Sequence, residues 1–142
     1  TYVIGLLTFA SGPIGSFTMT FDTGGSSAPN LELYGSEAIL RLADPNTFDD
    51  PIRRRARDGG EWAAVPARWS WGALRGIGLA DMATAIRSGR PHRASGELAF
   101  HVLDVLLAME EAVDAGRTIE ITSRVDRPAA LPPDAVDGRL DP

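Results

Sequence analysis

Every second residue between positions 16 and 21 is apolar, and the residues between them carry hydroxyl groups. The apolar set is Phe17, Met19 and Phe21, and the hydroxyl set is Ser16, Thr18 and Thr20. A period of two is typical of a β-strand that has one covered face. The hydroxyl face is polar yet mostly β-branched, so it can contact either solvent or the surface of another protein.

Further strand patterns occur on both sides of this segment. With the first one they span residues 2–9, 16–21, 31–34, 38–42, 52–57, 62–65 and 118–122. Residues 11–15 form a predicted turn after the first strand, and Gly35 and Ser36 form a tight turn between the third and fourth.

The hydrophobic period changes to that of a helix after residue 76. Residues 76–88 predict a helix that Gly89 ends, and Ser95 is a candidate N-cap for a longer second helix that ends at Gly116. The predicted inner stripe of the first helix is Leu79, Met82, Ala83 and Ile86. That of the second helix is Leu98, Val102, Val105, Leu106, Met109 and Val113, with His101 and Asp104 on the more polar side.

The order of these elements is several strands, two helices and one closing strand. Segregation of strands from helices predicts the α+β class, with a mainly antiparallel, open-faced sheet and two helices packed on one face. We assign residues 1–127 to a single domain. Residues 128–142 form a proline-rich tail that is expected to have no core of its own.

Composition narrows the possible partners. The 142 residues carry a net charge of -5, which argues against a nucleic-acid partner. The absence of cysteine excludes disulfides and thiolate metal sites, and it fits a cytoplasmic location. No apolar run is long enough to predict a membrane span. The chain opens directly in strand-like sequence without an initiator methionine, so we expect it to be a fragment of a longer protein.

Motifs for catalysis and cofactor binding are missing. The sequence contains no G-x-G-x-x-G, no P-loop and no G-x-S-x-G, so we expect no dinucleotide to bind this chain alone. His92 and His101 are nine residues apart, which matches no common metal motif. His101 is expected to be a packed or surface residue of the second helix. His92, in a loop, is expected to be a capping or surface residue, and a catalytic role is the less favoured alternative for both.

Two clusters leave alternatives open. The basic run at residues 53–57 alternates between strand faces, which favours a solvated edge strand over a phosphate site. Tryptophans precede the first helix together with arginines and suit either core filling or the wall of an interface or ligand site. The members of this second cluster are Trp62, Trp69, Trp71, Arg68 and Arg75.

The order and spacing of several segments resemble the C-terminal domain of the glucose–fructose oxidoreductase/inositol dehydrogenase (Gfo/Idh/MocA) family. The resembling segments are residues 31–42, the Asp-Pro-Asn-Thr-Phe of residues 44–48, residues 75–82, residues 89–105, and Gly116 with residues 119–123 and 127–128. This resemblance implies an oxidoreductase that acts on sugars, inositols or related polyols with NAD or NADP. It also implies a separate Rossmann domain and a homo-oligomer formed through the open face of the sheet.

The family's dinucleotide fingerprint and its two catalytic segments are absent from these 142 residues. We therefore assign no catalytic, cofactor-binding or metal residue, and we expect the chain alone to be inactive. The substrate-pocket candidates are Trp69, Trp71, Arg75 and His92, and the subunit-contact candidates are Ser16, Thr18 and Thr20. The alternative is a stand-alone α+β binding module that dimerises through its sheet.

Overall fold

The chain belongs to the α+β class, and its described residues form two helices and two open antiparallel sheets. The structure is a computed structural model that describes residues 2–45, 51–66, 76–132 and 140–141. The strands are β1 (Tyr2–Thr8), β2 (Ile14–Thr20), β3 (Glu32–Tyr34), β4 (Ala38–Arg41), β5 (Arg53–Ala56) and β6 (Ala63–Ala64), and the helices are α1 (Ile77–Ser88) and α2 (Gly96–Ala115).

The fold groups into two compact units. The first comprises Thr1–Ala28 and Asp104–Ile121, and the second comprises Pro29–Leu103 and Thr122–Pro142. The first unit holds a two-stranded sheet, β1–β2, and the second holds a four-stranded sheet in the order β3–β4–β5–β6. The strands are therefore divided between two sheets.

In the hairpin of β1 and β2, directly opposed residues lie on the same face. Pairing runs from Tyr2 opposite Thr20 to Thr8 opposite Ile14. The reversal is closed by two backbone hydrogen bonds, from the Phe9 N–H to the Pro13 carbonyl and from the Gly12 N–H to the Phe9 carbonyl. Gly12 has a φ of 106°, a conformation that glycine adopts at little cost.

Gly5 leaves room for the ring of Phe17, its cross-strand partner. A Cβ atom on Gly5 would lie 2.5 Å from Cζ of Phe17. We expect Gly5→Ala to destabilise the chain by about 1 kcal/mol because the ring must move. Gly24→Ala is the matched control, since nothing lies within 4 Å of its Cβ position and its φ is not positive. Urea unfolding that shows equal effects for the two variants would contradict the prediction.

The four-stranded sheet confirms the predicted strand pairs on either side of the turns. The Gly35 N–H donates to the Ala38 carbonyl at 2.9 Å, which closes the tight turn between β3 and β4. The basic run alternates as predicted, because Arg53 and Arg55 pair with Arg41 and Ile39, whereas Arg54 pairs with Leu40. Its assignment to an edge strand was wrong, since β5 lies between β4 and β6.

Local capping signals determine the helix ends, as predicted. The Ser95 hydroxyl accepts from the Leu98 N–H at 3.2 Å at the start of α2. Gly89 ends α1 in the left-handed conformation, with a φ of 71°, and its N–H donates to the Ala85 carbonyl. Gly116, with a φ of 60°, follows the last residue of α2.

The predicted inner face of α1 was wrong. Its apolar stripe is exposed, with Leu79 at 71% and Ile86 at 75%, whereas Asp81 and Ala85 on the other side are buried. The inner stripe predicted for α2 was also partly wrong. Val102, Leu106 and Val113 are exposed, while His101 and Asp104 are half-buried. Tertiary contacts therefore cover the polar side of α1 and leave its apolar side open.

The strand predicted at residues 118–122 was wrong. Residues 118–130 run without regular secondary structure. In the tail, Leu140 is 1% exposed and is the largest fully buried side chain among the described residues. Local alternation predicted a strand at 118–122, but a strand forms only where a neighbouring strand accepts its backbone hydrogen bonds.

Candidate functional site: an arginine-lined groove

Two segments of the second unit line a groove of about 1020 Å³. One is the connection between the two helices, and the other is the extended segment that follows α2. The lining residues are Arg90, Pro91, His92, Arg93, Ser95, Glu97, Arg124, Val125, Asp126, Arg127, Pro128, Ala129, Ala130 and Pro132. This volume is about that of the larger small-molecule sites in proteins, roughly 300–1,000 Å³.

A buried carboxylate holds one wall of the groove together. Asp81 of α1 is 4% exposed and accepts from Nη2 of Arg90 at 2.8 Å and from the backbone N–H of Arg93 at 2.7 Å. The Arg93 guanidinium also donates to this carboxylate. A buried charge is tolerated when it is paired and hydrogen-bonded in this way.

The same two arginines fasten the end of the chain to the inter-helix connection. Arg93 donates to the carbonyls of Ala129 and Ala130 at 2.9 and 3.2 Å. Arg90 forms an ion pair with Asp141, and both arginines reach the Leu140 carbonyl at 3.4 Å. Arg90 and Arg93 therefore act as structural ties.

The pKa of Asp81 depends on two opposing effects, its burial and its hydrogen bonds. Burial on its own would raise the pKa of the carboxyl group, but the Arg93 N–H and the two guanidinium groups together lower it. The Arg90 guanidinium likewise lowers the pKa of Asp141. The Asp81 carboxyl is ionised at neutral pH, so the ties persist there.

His92 is the one substrate-pocket candidate that the structure places at this groove. It is half-buried, and its Nδ1 atom is buried without a hydrogen-bond partner among the described residues. Trp69, Trp71 and Arg75, the other candidates, lie outside the described residues, as does Arg68. A buried polar nitrogen destabilises a fold unless a water molecule or a ligand supplies its hydrogen bond.

Arg124 and Arg127 differ from the other arginines of the groove. Both are exposed, and within the described part of the chain neither forms an ion pair or a hydrogen bond. Among the described residues, four arginines line the groove together with the carboxylates of Glu97 and Asp126. Asp81 and Asp141 neutralise Arg90 and Arg93, so Arg124 and Arg127 are the cations left beside those two carboxylates, and the groove carries no excess of positive charge. Its two sides are more than 20 residues apart in the sequence, so no local pattern predicts the groove.

His101 has a different environment, outside the groove lining. Its Nδ1 lies 2.7 Å from the hydroxyl of Ser123, so α2 holds the extended segment at that point. This agrees with a packed helical histidine. Over the residues that the structure describes, no group of three His, Asp or Glu side chains is placed to hold a metal ion, and no helix could span a membrane.

The tryptophan cluster has one described member, Trp62. Arg41 and Arg55 lie over its ring, 4.5 and 4.8 Å from the centroid, and Arg41 pairs with Glu32 at 2.8 Å. These cation–π contacts assign Trp62 to one face of the four-stranded sheet, where it stabilises arginines from two strands. The register between β4 and β5 places Arg41 and Arg55 on the same face of the sheet, which allows both to contact Trp62.

The subunit-contact candidates lie together on the exposed face of the hairpin. Ser16 and Thr18 oppose Leu6 and Ile4, and Thr20 opposes Tyr2. Four apolar side chains on this face are each between 65% and 74% exposed: Tyr2, Ile4, Leu6 and Ile14. We call these four residues with Ser16, Thr18 and Thr20 the hairpin face.

Comparisons with protein-family models, with curated proteins and with solved structures found no match to this chain.

Proposed function

We propose that this chain is the substrate-side and subunit-contact domain of an NAD(P)-dependent oxidoreductase that acts on a sugar, an inositol or a related polyol. The observation that supports it most directly is the hairpin face, where four large apolar side chains stand exposed side by side. Contiguous exposed apolar patches of this kind mark protein interfaces. The resemblance of residues 31–128 to the oxidoreductase family supplies the reaction class.

The outward apolar stripe of α1 supports a second contact surface. Leu79 and Ile86 are more than 70% exposed. On α2, apolar side chains at helical spacing are also open, namely Phe100, Leu103 and Leu107. Under the proposal, the parent enzyme's own Rossmann domain covers helix surfaces of this kind, and copies of the chain meet through the hairpin face. The parent is then a cytoplasmic homo-oligomer.

The chemistry of hydride transfer assigns different roles to the two domains of the parent enzyme. Hydride transfer requires a nicotinamide held against the substrate carbon, and the residues that hold it belong to the parent's other domain. The groove with His92 then contributes to the substrate side. The role of this chain is to shape a pocket and to join subunits.

We expect the isolated chain to bind NAD or NADP with a dissociation constant no better than millimolar, because it lacks the fingerprint that binds the pyrophosphate at a helix N-terminus. Isothermal titration calorimetry of each dinucleotide against the chain checks this. The same titration against the full-length parent is the positive control and should show saturable binding. Micromolar binding by the chain alone would refute the assignment of cofactor binding to another domain.

The alternative is a stand-alone interaction module that dimerises through its sheet, and the hairpin face is compatible with it. The coding sequence upstream of Thr1 separates the two. Under the oxidoreductase proposal, roughly 120–200 further residues with a dinucleotide fingerprint are expected there. An initiator codon immediately before Thr1 would favour the stand-alone module.

A further inference from the structure

We infer that the groove binds a small oxyanion, a carboxylate or a phosphate monoester carried on a polyol-sized ligand, through Arg124, Arg127 and His92. As a statement about binding, this stands on the groove itself. As a statement about the substrate class of an oxidoreductase, it rests on the proposed function.

The segment that carries the two arginines is held at both ends. Ser123, next to Arg124, is hydrogen-bonded to His101 of α2. Ala129 and Ala130, just beyond Arg127, accept hydrogen bonds from Arg93. Arg93 is in turn fixed by the buried Asp81. The backbone beneath Arg124 and Arg127 is therefore ordered before any ligand arrives, which reduces the entropic cost of binding.

Arg124 and Arg127 are the cations of the groove that remain available, and the carboxylates of Glu97 and Asp126 line the same groove. Arg90 and Arg93 are engaged by Asp81, by Asp141 and by backbone carbonyls. A guanidinium offers two parallel N–H donors, a geometry that matches carboxylate and phosphate oxygens. An oxyanion bound here would supply the ion-pair partner that both arginines lack among the described residues.

His92 provides a second, independent observation. Its Nδ1 is buried at the groove without a hydrogen-bond partner in the described part of the chain. A ligand that carries hydroxyl and oxyanion groups can pair with this nitrogen in either tautomer. The groove volume of about 1020 Å³ accommodates a ligand the size of a sugar acid or a sugar phosphate.

The test is a calorimetric titration of the 142-residue chain with three probes of similar size: gluconate, glucose 6-phosphate and glucose. We expect saturable one-to-one binding of at least one anionic probe and an affinity at least about tenfold weaker for glucose, since charge-assisted hydrogen bonds are the stronger ones. Whichever of gluconate and glucose 6-phosphate binds identifies the oxyanion as carboxylate or phosphate.

The paired variants are Arg124→Gln and Arg127→Gln, each expected to weaken binding of the anionic probe by about tenfold. Arg117→Gln is the matched control, because Arg117 is exposed and lies outside the groove lining. If a variant unfolds, the salt dependence of wild-type binding takes its place. Affinity should fall between 0.05 and 0.5 M sodium chloride, because about 0.1 M salt screens exposed charges beyond roughly 10 Å.

The inference is overturned if neither anion binds, if glucose binds as tightly as the anions, or if Arg117→Gln weakens binding as much as the groove variants. Salt-independent binding would overturn it too. None of these results bears on the hairpin face or on the dinucleotide fingerprint, so the proposed function would survive them. Conversely, anion binding by a chain whose gene encodes no Rossmann domain would retain the groove and reject the oxidoreductase.

Discussion

Asp81→Asn is expected to lower the free energy of unfolding by about 3 kcal/mol, because it removes the charge that two largely buried guanidinium groups share. The side chains of Arg90 and Arg93 are only 20% and 18% exposed, so water compensates them incompletely. Urea unfolding followed by circular dichroism measures the change. Hydrogen exchange at Leu140 and Asp141 should also accelerate, since the ties that hold these residues depend on the same arginines.

The matched control is Glu111→Gln, which removes one partner of an exposed ion pair with Arg117 at 3.6 Å. An exposed pair of this kind contributes about 0–1 kcal/mol, so the control should unfold close to the wild type. A loss as small for Asp81→Asn as for Glu111→Gln would show that the buried carboxylate is not what holds this part of the fold.

The pH dependence of this contribution has a defined sign. The folded-state pKa of Asp81 lies below the ordinary value of 3.8. Its charge therefore stabilises the fold fully above the unfolded pKa, and the stabilisation is lost as the pH falls through the folded pKa. The difference in unfolding free energy between wild type and Asp81→Asn should be constant near neutral pH and should shrink below about pH 4. A difference that grows on acidification would contradict the ion pairing.

Ile4→Lys combined with Leu6→Lys is expected to abolish self-association of the chain. Both side chains lie on the hairpin face, 65% and 74% exposed, so the substitutions add charge where an interface would exclude water. Burying two unpaired lysines is costly enough that the dimer dissociation constant should rise by at least about 100-fold. Light scattering across a range of protein concentrations measures this. The variant should remain folded, because neither side chain is packed in the monomer.

Leu79→Lys is the control variant, which tests whether a lysine at any exposed apolar position weakens self-association. Leu79 on α1 is 71% exposed, close to the exposure of Leu6. The Leu79→Lys variant should self-associate through the hairpin face as strongly as the wild type, since we propose that α1 contacts the cofactor domain. A wild-type chain that stays monomeric at high concentration would exclude the subunit-contact role of Ser16, Thr18 and Thr20. If Leu79→Lys weakened self-association as much as the hairpin variant does, self-association would not be confined to the hairpin face.

Features that depend on neighbouring residues could be predicted from the sequence. Ser95, Gly89 and Gly116 set the helix ends, because a cap acts on backbone groups within one turn. The same holds for the alternation of residues 16–21, which placed Ser16, Thr18 and Thr20 on one face. It also holds for the tight turn at Gly35. In each case the deciding feature, which is a cap, a turn or the alternation of side chains along one strand, involves residues close together in the chain.

Features that depend on residues distant in the chain could not be predicted from the sequence. The apolar period of α1 identified a helix but not the side that is covered, since Asp81 is buried by Arg90, Arg93 and the C-terminal residues. Residues 118–122 alternate like a strand yet have no strand beside them to complete the ladder. The groove itself joins the inter-helix connection to the segment after α2, more than 20 residues further along the chain.

The sequence by itself therefore determined the α+β class, the ends of the two helices and the shared face of Ser16, Thr18 and Thr20, because these follow from periodicity and capping over a few residues. Only the tertiary structure decided which helix faces are covered, where β5 lies in its sheet, and that Asp81 ties the C-terminal residues to an arginine-lined groove. The physical reason is that burial and ion pairing are set by groups brought together from across the chain, and local patterns carry no information about those partners.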